Sequence, residues 1–481
     1  MEKRLLIAFV ITLAFLMFWS RFMPQQRPQT VGTQEVISKS EGSNLPDLSP
    51  EVAQKANLVG EIPEKEDLPT AQIEDFLITY SPVGGYIKRV AIKEKENELP
   101  FENIGFISED KSKRFVARIN QKSIVFQGPG GKKKEFWFEG NILTVRFSSS
   151  PPSPIVIFSN ILSASILDQR YQEIFYAKES TIKRTKPKKA KVSQYKNIEF
   201  AGARDRYYCL SLVKGDYNLE VVQNKNVTHL YLEPTKEFQL YIGPQTEKML
   251  KLYGLGNIPY YGFFHILGVG MIKLLYFFYS LTKNWGLSII GFSIFIYLAL
   301  FPFTSKSTKA MRKMQQVQPE IEELKEKHKE NPQKLQKETI ELYRKYRINP
   351  LGGCLPLLFQ FPIFIALYQV LFRFVELKGA KFLWINDLSL PDHLFKLPFK
   401  PPVDYINLLP LLIICLGMLQ QKVTTTTTSS NASQQKMMGL IFPLFLGVIF
   451  YNFPSALVLY WFMQNTLTII YQVRIGQSKI A

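Results

Sequence analysis

Tyr460, Gln464 and Thr468 recur at i, i+4 and i+8, with Asn465 beside them, inside an apolar run at 455–473. Spacing of four places the first three on one helical face. A second apolar run, 286–303, carries Ser293 and Tyr297 at the same spacing, and Gln360 lies within a third. All of these side chains exchange hydrogen bonds and none is ionised at neutral pH. The chemistry they can do is to solvate another polar group inside an otherwise apolar medium. One reading is interhelical bonding, worth only ~0.6 kcal/mol per bond on average. Three polar faces together favour the other, a wet concavity halfway through a bilayer.

Bond-breaking chemistry has little to work with. His229, His265, His328 and His393 all fall outside the apolar runs, whose interiors hold no Asp or Glu. Neither G-x-S-x-G nor G-x-x-x-x-G-K-[ST] occurs. We therefore expect no enzyme, no metal and no cofactor. Of the three cysteines, Cys354 and Cys415 lie in apolar runs and Cys209 does not, so no disulfide framework is implied. A solute transporter is the competing function, because the run from 349 to 371 contains Gly352, Gly353, Pro356 and Pro362 and reads as a broken helix. Transporters of that kind commonly repeat the device in a second half, and no matching half is present.

The elements that must position the polar residues are membrane spans. Apolar runs at 286–303, 351–375, 405–420, 437–453 and 455–473 follow one at 5–19. Each can cross, or nearly cross, a hydrocarbon core of ~30 Å at ~1.5 Å per residue, given some tilt or thinning. Lys3 and Arg4 precede the first run, but Trp19-Ser20-Arg21-Phe22-Met23 offers no small-x-small cleavage site, so an uncleaved anchor is expected. Residues 304–349 hold 12 Lys/Arg against 7 Asp/Glu, while 376–404 hold 4 of each. The positive-inside bias puts 304–349 in the cytoplasm and 376–404 outside. Lys422 and Lys436 mark a second cytoplasmic loop, and Arg474 and Lys479 keep the C-terminus inside. Six spans with both termini cytoplasmic result.

Residues 24–285 then lie outside, which accounts for a mean hydropathy of −0.03 in a membrane chain. The stretch 24–72 is rich in Gln, Pro, Ser and Glu without a period and reads as a tether. From 73 to 257, alternating runs such as FLITY, YIKRVAI, EFWF and ILTVRF are separated by Gly- and Asn-containing turns, predicting a β-sandwich. Residues 258–283 are apolar and aromatic yet include His265, Lys273 and Lys283, predicting an interfacial amphipathic helix. A seventh span is its alternative. Within 304–349, Val317, Ile321, Leu324 and His328, then Leu335, Thr339, Leu342 and Tyr346, repeat steps of four, three and four. They predict a two-helix hairpin projecting into the cytoplasm. Lys306, Lys309, Arg312 and Lys313 near the membrane are candidates for a docking protein or anionic lipid.

In order and spacing, NWGLSII, FPFT, INPLGGCLPLLFQFPIFIALY, LWINDLS and FPSALVLYW resemble the YidC-type (Oxa/Alb) membrane protein insertases over about 258–474. The first 257 residues resemble the bacterial form, with an N-terminal anchor and a large periplasmic β-supersandwich. The resemblance implies a multi-span α-helical protein of the cell inner membrane with a five-helix insertase core at 284–474. It implies a polar groove open to cytoplasm and lipid, here Ser293, Tyr297, Gln360, Tyr460, Gln464, Asn465 and Thr468. It also implies a hydrophobic slide on the 351–375 and 437–453 spans, here Phe361, Phe364, Phe442 and Phe445. Nascent membrane proteins and the lipid bilayer are the implied partners, with a Sec-type translocon, a ribosome or a targeting receptor as further candidates and no specific nucleic acid. Tyr297 stands where the family usually has a groove arginine. Arg373, toward the outer end of its span, is expected to snorkel rather than replace it. The short tail 475–481 lacks the long basic extension of some members, so tail-mediated ribosome docking is not expected.

Overall fold

The computed structural model describes residues 68–92, 97–159, 172–179, 181–185, 191–223, 228–328, 331–348, 355–396, 405–424 and 432–477. The expected anchor at 1–23, nearly all of the tether at 24–72, Gly352, Gly353 and the end of the tail lie outside the described residues. The chain divides into two compact units, Gly32–Tyr260 and a second made chiefly of Tyr261–Ala481.

In the first unit, two nine-stranded sheets are built from antiparallel neighbours. Period-two patterning decides which face of each strand turns inward. In Phe76–Ser81, Phe76 and Ile78 are buried while Leu77 between them is exposed. In Lys133–Glu139, Phe136 and Phe138 are buried and Trp137 is exposed. The inward rings meet between sheets, Phe76 against Phe138 at 5.5 Å and Tyr80 against Phe126 at 5.8 Å. Gly202 is obligatory on packing grounds, since a Cβ there would lie 2.0 Å from the Leu210 carbonyl oxygen.

Two arginines hold the segment by which the chain leaves these sheets. Arg204, at the end of the strand Phe200–Arg204, is buried and pairs with Glu173 at 2.6 Å. It also donates to the Ile258 carbonyl at 3.0 Å. Arg184 donates to the carbonyls of Asn257 and Ile258 and lies over the Tyr260 ring. The short helix α1, Glu247–Leu252, precedes that segment, capped by Thr246 accepting from the Met249 amide.

His229 is a buried side chain whose Nδ1 has no partner among the described residues. Burial pulls its pKa down to about 4. An unfolded histidine titrates near 6.5, so between pH 6.5 and 4 the unfolded chain binds more protons and stability falls as pH drops. We expect this one group to withdraw up to about 3 kcal/mol over that window. His229→Leu should therefore narrow the gap between the sheet unit's melting temperatures at pH 7 and pH 4.5; an unchanged gap would assign the acid sensitivity elsewhere.

The second unit is helical: α2 (His265–Thr282), α3 (Trp285–Gln316), α4 (Gln318–Lys327), α5 (Pro332–Lys345), α6 (Leu355–Leu371), α7 (Leu408–Thr424), α8 (Ala432–Phe450) and α9 (Ser455–Gln477). By length and composition Gly262–Thr282 and Trp285–Met314 can each cross a membrane, and Gln360–Leu371, Leu408–Lys422 and Ile441–Phe450 are shorter apolar stretches. The NWG run makes the turn between α2 and α3. Asn284 caps α3 by accepting from the Leu287 amide, Trp285 stacks on Tyr279 at 4.0 Å, and Gly286 leaves room for Phe382, whose Cγ would be 2.1 Å from a Cβ.

Two features differ from the sequence reading. The FPFT run does not end a helix, because α3 continues through Pro302 for 32 residues in all. Lys306, Lys309, Arg312 and Lys313 thus belong to a continuation of the span helix, and the hairpin itself is α4 and α5. Its base packs Val317, Ile321 and Ile348 with Met314, Leu342 and Tyr343. Cross-links from His328 to Glu338 at 2.9 Å and Tyr346 to Glu320 at 2.5 Å join its arms. Tyr346, expected in the seam, is exposed and reaches its partner from outside.

Outside the hairpin, the segment after α6 is stitched to three helices. Buried Asp392 accepts from Trp384 Nε1 at 3.2 Å and from the Leu408 and Leu409 amides at 2.7 and 3.0 Å, capping α7. Asn407 donates to the Tyr451 carbonyl beyond α8, and Ser455 at the start of α9 donates to the Leu390 carbonyl.

Candidate substrate groove

Four of the seven predicted groove residues meet in pairs across α6, α9 and α3. Gln360 on α6 donates to the Tyr460 hydroxyl on α9 at 2.8 Å. Gln464, one turn further along α9, donates to the Ser293 carbonyl on α3 at 2.9 Å. Tyr460 is fully buried beside Phe292, ring to ring at 6.0 Å. Three helices are thereby tied through one polar seam.

The other three behave differently. Thr468 and Asn465 donate back to their own helix, to the carbonyls of Gln464 and Trp461. Tyr297 is 8% exposed, and its hydroxyl has no partner among the described residues. An orphan buried hydroxyl of this kind carries a desolvation penalty of about 1–3 kcal/mol until something accepts from it or donates to it.

The polar face of α9 extends further than the sequence reading took it. Gln472 continues the four-residue ridge begun at Tyr460; it is buried and its Oε1 is unpartnered among the described residues. Its carbonyl accepts from Arg312 at 2.8 Å, so Arg312 turns inward to the end of α9 while Lys306, Lys309 and Lys313 are exposed. One more step of four along the sequence would have found Gln472. Trp461 Nε1, also buried and unpartnered among the described residues, carried no such signal.

The four slide phenylalanines separate as well. Phe361 and Phe442 are exposed at 40% and 59%. Phe445 is half-buried, and Phe364 packs on Phe450 at 6.2 Å and Trp461 at 5.2 Å. Arg373 lies just beyond the end of α6.

A family profile described as "60Kd inner membrane protein" matches residues 277–480, which include every residue of this seam. The YidC membrane protein insertase of Syntrophobacter fumaroxidans is 40% identical over 246 residues, covering 50% of this chain and 43% of that protein. That of Wolinella succinogenes is 34% identical over 59% of this chain and 52% of its own length. The chain thus aligns with about half the length of these curated relatives; with the insertase of Pelobacter propionicus it is 29% identical over 99% of both. Over these residues the chain is similar to the YidC insertases. It is a multi-span helical membrane protein with a large β-rich domain. A solved structure of an active YidC insertase covers 89% of this chain at 19% identity with a TM-score of 0.46. At Tyr297 this chain presents a buried hydroxyl and no cation. Among the described residues no group of three or more His, Cys, Asp or Glu could hold a metal.

Proposed function

We propose that this chain is a membrane protein insertase and chaperone that passes the polar end of a nascent segment through the α3–α6–α9 seam while the segment's apolar helix moves into lipid. The observation that carries this is the orphan hydroxyl of Tyr297 beside a seam of uncharged donors and acceptors. A charged side chain at the bilayer centre costs ~2.5–3.5 kcal/mol on insertion scales, and unpaired backbone groups cost several more. Polar partners at half depth remove part of that cost. Burial of the client's apolar helix then drives the step without a nucleotide.

The groove comprises Ser293, Tyr297, Gln360, Tyr460, Gln464, Asn465 and Thr468, and Phe361, Phe364, Phe442 and Phe445 form the slide. Six spans, five of them the core at 284–474, put both termini in the cytoplasm and the sandwich at 73–257 in the periplasm. Helix α2 lies in the outer interface. In support, a Cβ on Gly268 would lie 3.1 Å from Val370 and the Tyr276 ring is 5.5 Å from that of Phe374, so ~12 Å of α2 stays beside one short stretch at the outer end of α6. Nascent membrane proteins and lipid are the partners, with a Sec-type translocon, ribosome or targeting receptor engaged at the cytoplasmic face.

Protease protection of a single-span client offered to proteoliposomes of the purified chain, against empty liposomes, tests the activity. Protection equal to that of empty liposomes would refute autonomous insertion of that client. Within an active preparation, Tyr297→Phe keeps the ring and removes the hydroxyl. One hydrogen bond is worth about 0.5–1.5 kcal/mol, so we expect a loss of about 2- to 10-fold for clients with polar tails and little for short apolar tails. Equal loss for both would make Tyr297 a packing residue only.

A further inference from the structure

In the β-rich unit, Lys134 breaks the inward pattern of its strand, sharing a face with Phe136 and Phe138. It is buried, lies over the Phe115 ring at 4.9 Å, donates to the Gly84 carbonyl at 2.7 Å and pairs with Asp110 Oδ2 at 3.0 Å. Burial pulls its pKa down to about 8 against the opposing pull of Asp110. Burial would raise the Asp110 carboxyl, but Lys134 and the hydrogen bonds from Lys134, Lys113 and Lys132 hold it below the ordinary carboxylate range.

Two more ammonium groups converge on the other oxygen of the same carboxylate. Lys113 Nζ lies 3.1 Å and Lys132 Nζ 3.3 Å from Asp110 Oδ1. Three cations therefore share one anion, and the buried one has first claim on it. The two outer lysines are 38% and 37% exposed, and each keeps N–H groups to offer outward. Glu109 next door is exposed and forms no ion pair with either among the described residues. The turn that leads into Lys132 is uncrowded, since nothing lies within 4 Å of where a Cβ would stand on Gly130 or Gly131. Sharing one carboxylate oxygen keeps the two ammonium groups near enough for a single oxyanion to bridge them.

We propose that Lys113 and Lys132, held side by side by Asp110 over buried Lys134, form a binding site for a phosphate group. Its source is either a phospholipid headgroup or free phosphate, and the two share the chemistry of a charge-assisted bridge between ammonium groups. The site is independent of the groove, since no groove residue takes part in it.

The test uses the full chain in dodecyl maltoside, which carries no phosphate, at low salt. Inorganic phosphate and, separately, dihexanoylphosphatidylglycerol below its micelle-forming concentration are titrated, with phosphorus NMR line broadening as readout. Three proteins are compared: the natural chain, Lys113→Gln/Lys132→Gln, and Lys122→Gln/Lys133→Gln, which removes the same charge from exposed lysines that do not touch Asp110. Saturable broadening weakened at least tenfold only in the first double variant supports the site. Broadening by both ligands makes it a general phosphate site, by the lipid alone a headgroup site, and by phosphate alone a free-anion site. No saturable broadening with either ligand, or equal weakening in both double variants, overturns it, leaving Asp110 as the cluster's sole anion. Lys134 is untouched in every variant, so the buried pair that supports the fold stays in place.

Discussion

Arg204→Met will destabilise the β-rich unit by about 3–5 kcal/mol, the usual cost of leaving one member of a buried ion pair without the other. Glu173, only 14% exposed, would lose its 2.6 Å partner, and the Ile258 and Gln245 oxygens would lose a donor. The matching change at Arg146, whose pair with Glu237 is 54% and 47% exposed, should cost far less because water screens it. Hydrogen exchange of the strands Phe200–Arg204 and Tyr208–Leu212 in the full chain reads both. Equal effects from the two substitutions would mean that the Arg204 pair is as hydrated as the surface one.

Asp392→Ala should lower the stability of the helical unit by about 2–3 kcal/mol, combining the loss of a helix cap with a half-buried indole N–H left unpaired. Three donors converge on that one carboxylate oxygen, from Trp384, Leu408 and Leu409. Asp392→Asn retains an acceptor and should lose less. The melting temperature in detergent, together with protease cleavage within 376–396, separates the cases. An alanine variant that melts normally but is cut faster would confine the role of Asp392 to pinning the loop.

Strands were legible because alternation in runs such as FLITY and EFWF is enforced residue by residue by two sheet faces. The polar ridge Tyr460-Gln464-Thr468 was legible for the same reason at helical spacing. What it bonded to was not, since Gln464 reaches a backbone carbonyl on α3, and a main-chain acceptor leaves no mark in side-chain pattern. FPFT misled because hydropathy falls at Lys306, whereas Pro302 is compatible with a helix that its neighbours hold in place. Arg312 looked like its lysine neighbours, and only the approach of α9 distinguishes an inward guanidinium from an outward ammonium. The Lys134 cluster joins a loop, a turn and a strand, and nothing in composition announces that three lysines share Asp110.

The uninterrupted course of α3 has a mechanical corollary. Its far end is welded to the hairpin base through Met314, and Arg312 ties it to α9, while Ser293 sits nine residues before the interior proline, ~13 Å away along the axis. Proline removes the bond that Leu298 would otherwise accept, so bending is softest there. With that pivot, α3 is a lever whose arm toward the hairpin runs ~21 Å to Gln316. A swing of ~5° about Pro302 moves Ser293 by ~1 Å, and directed away from α9 that displacement takes the 2.9 Å bond from Gln464 beyond hydrogen-bond range.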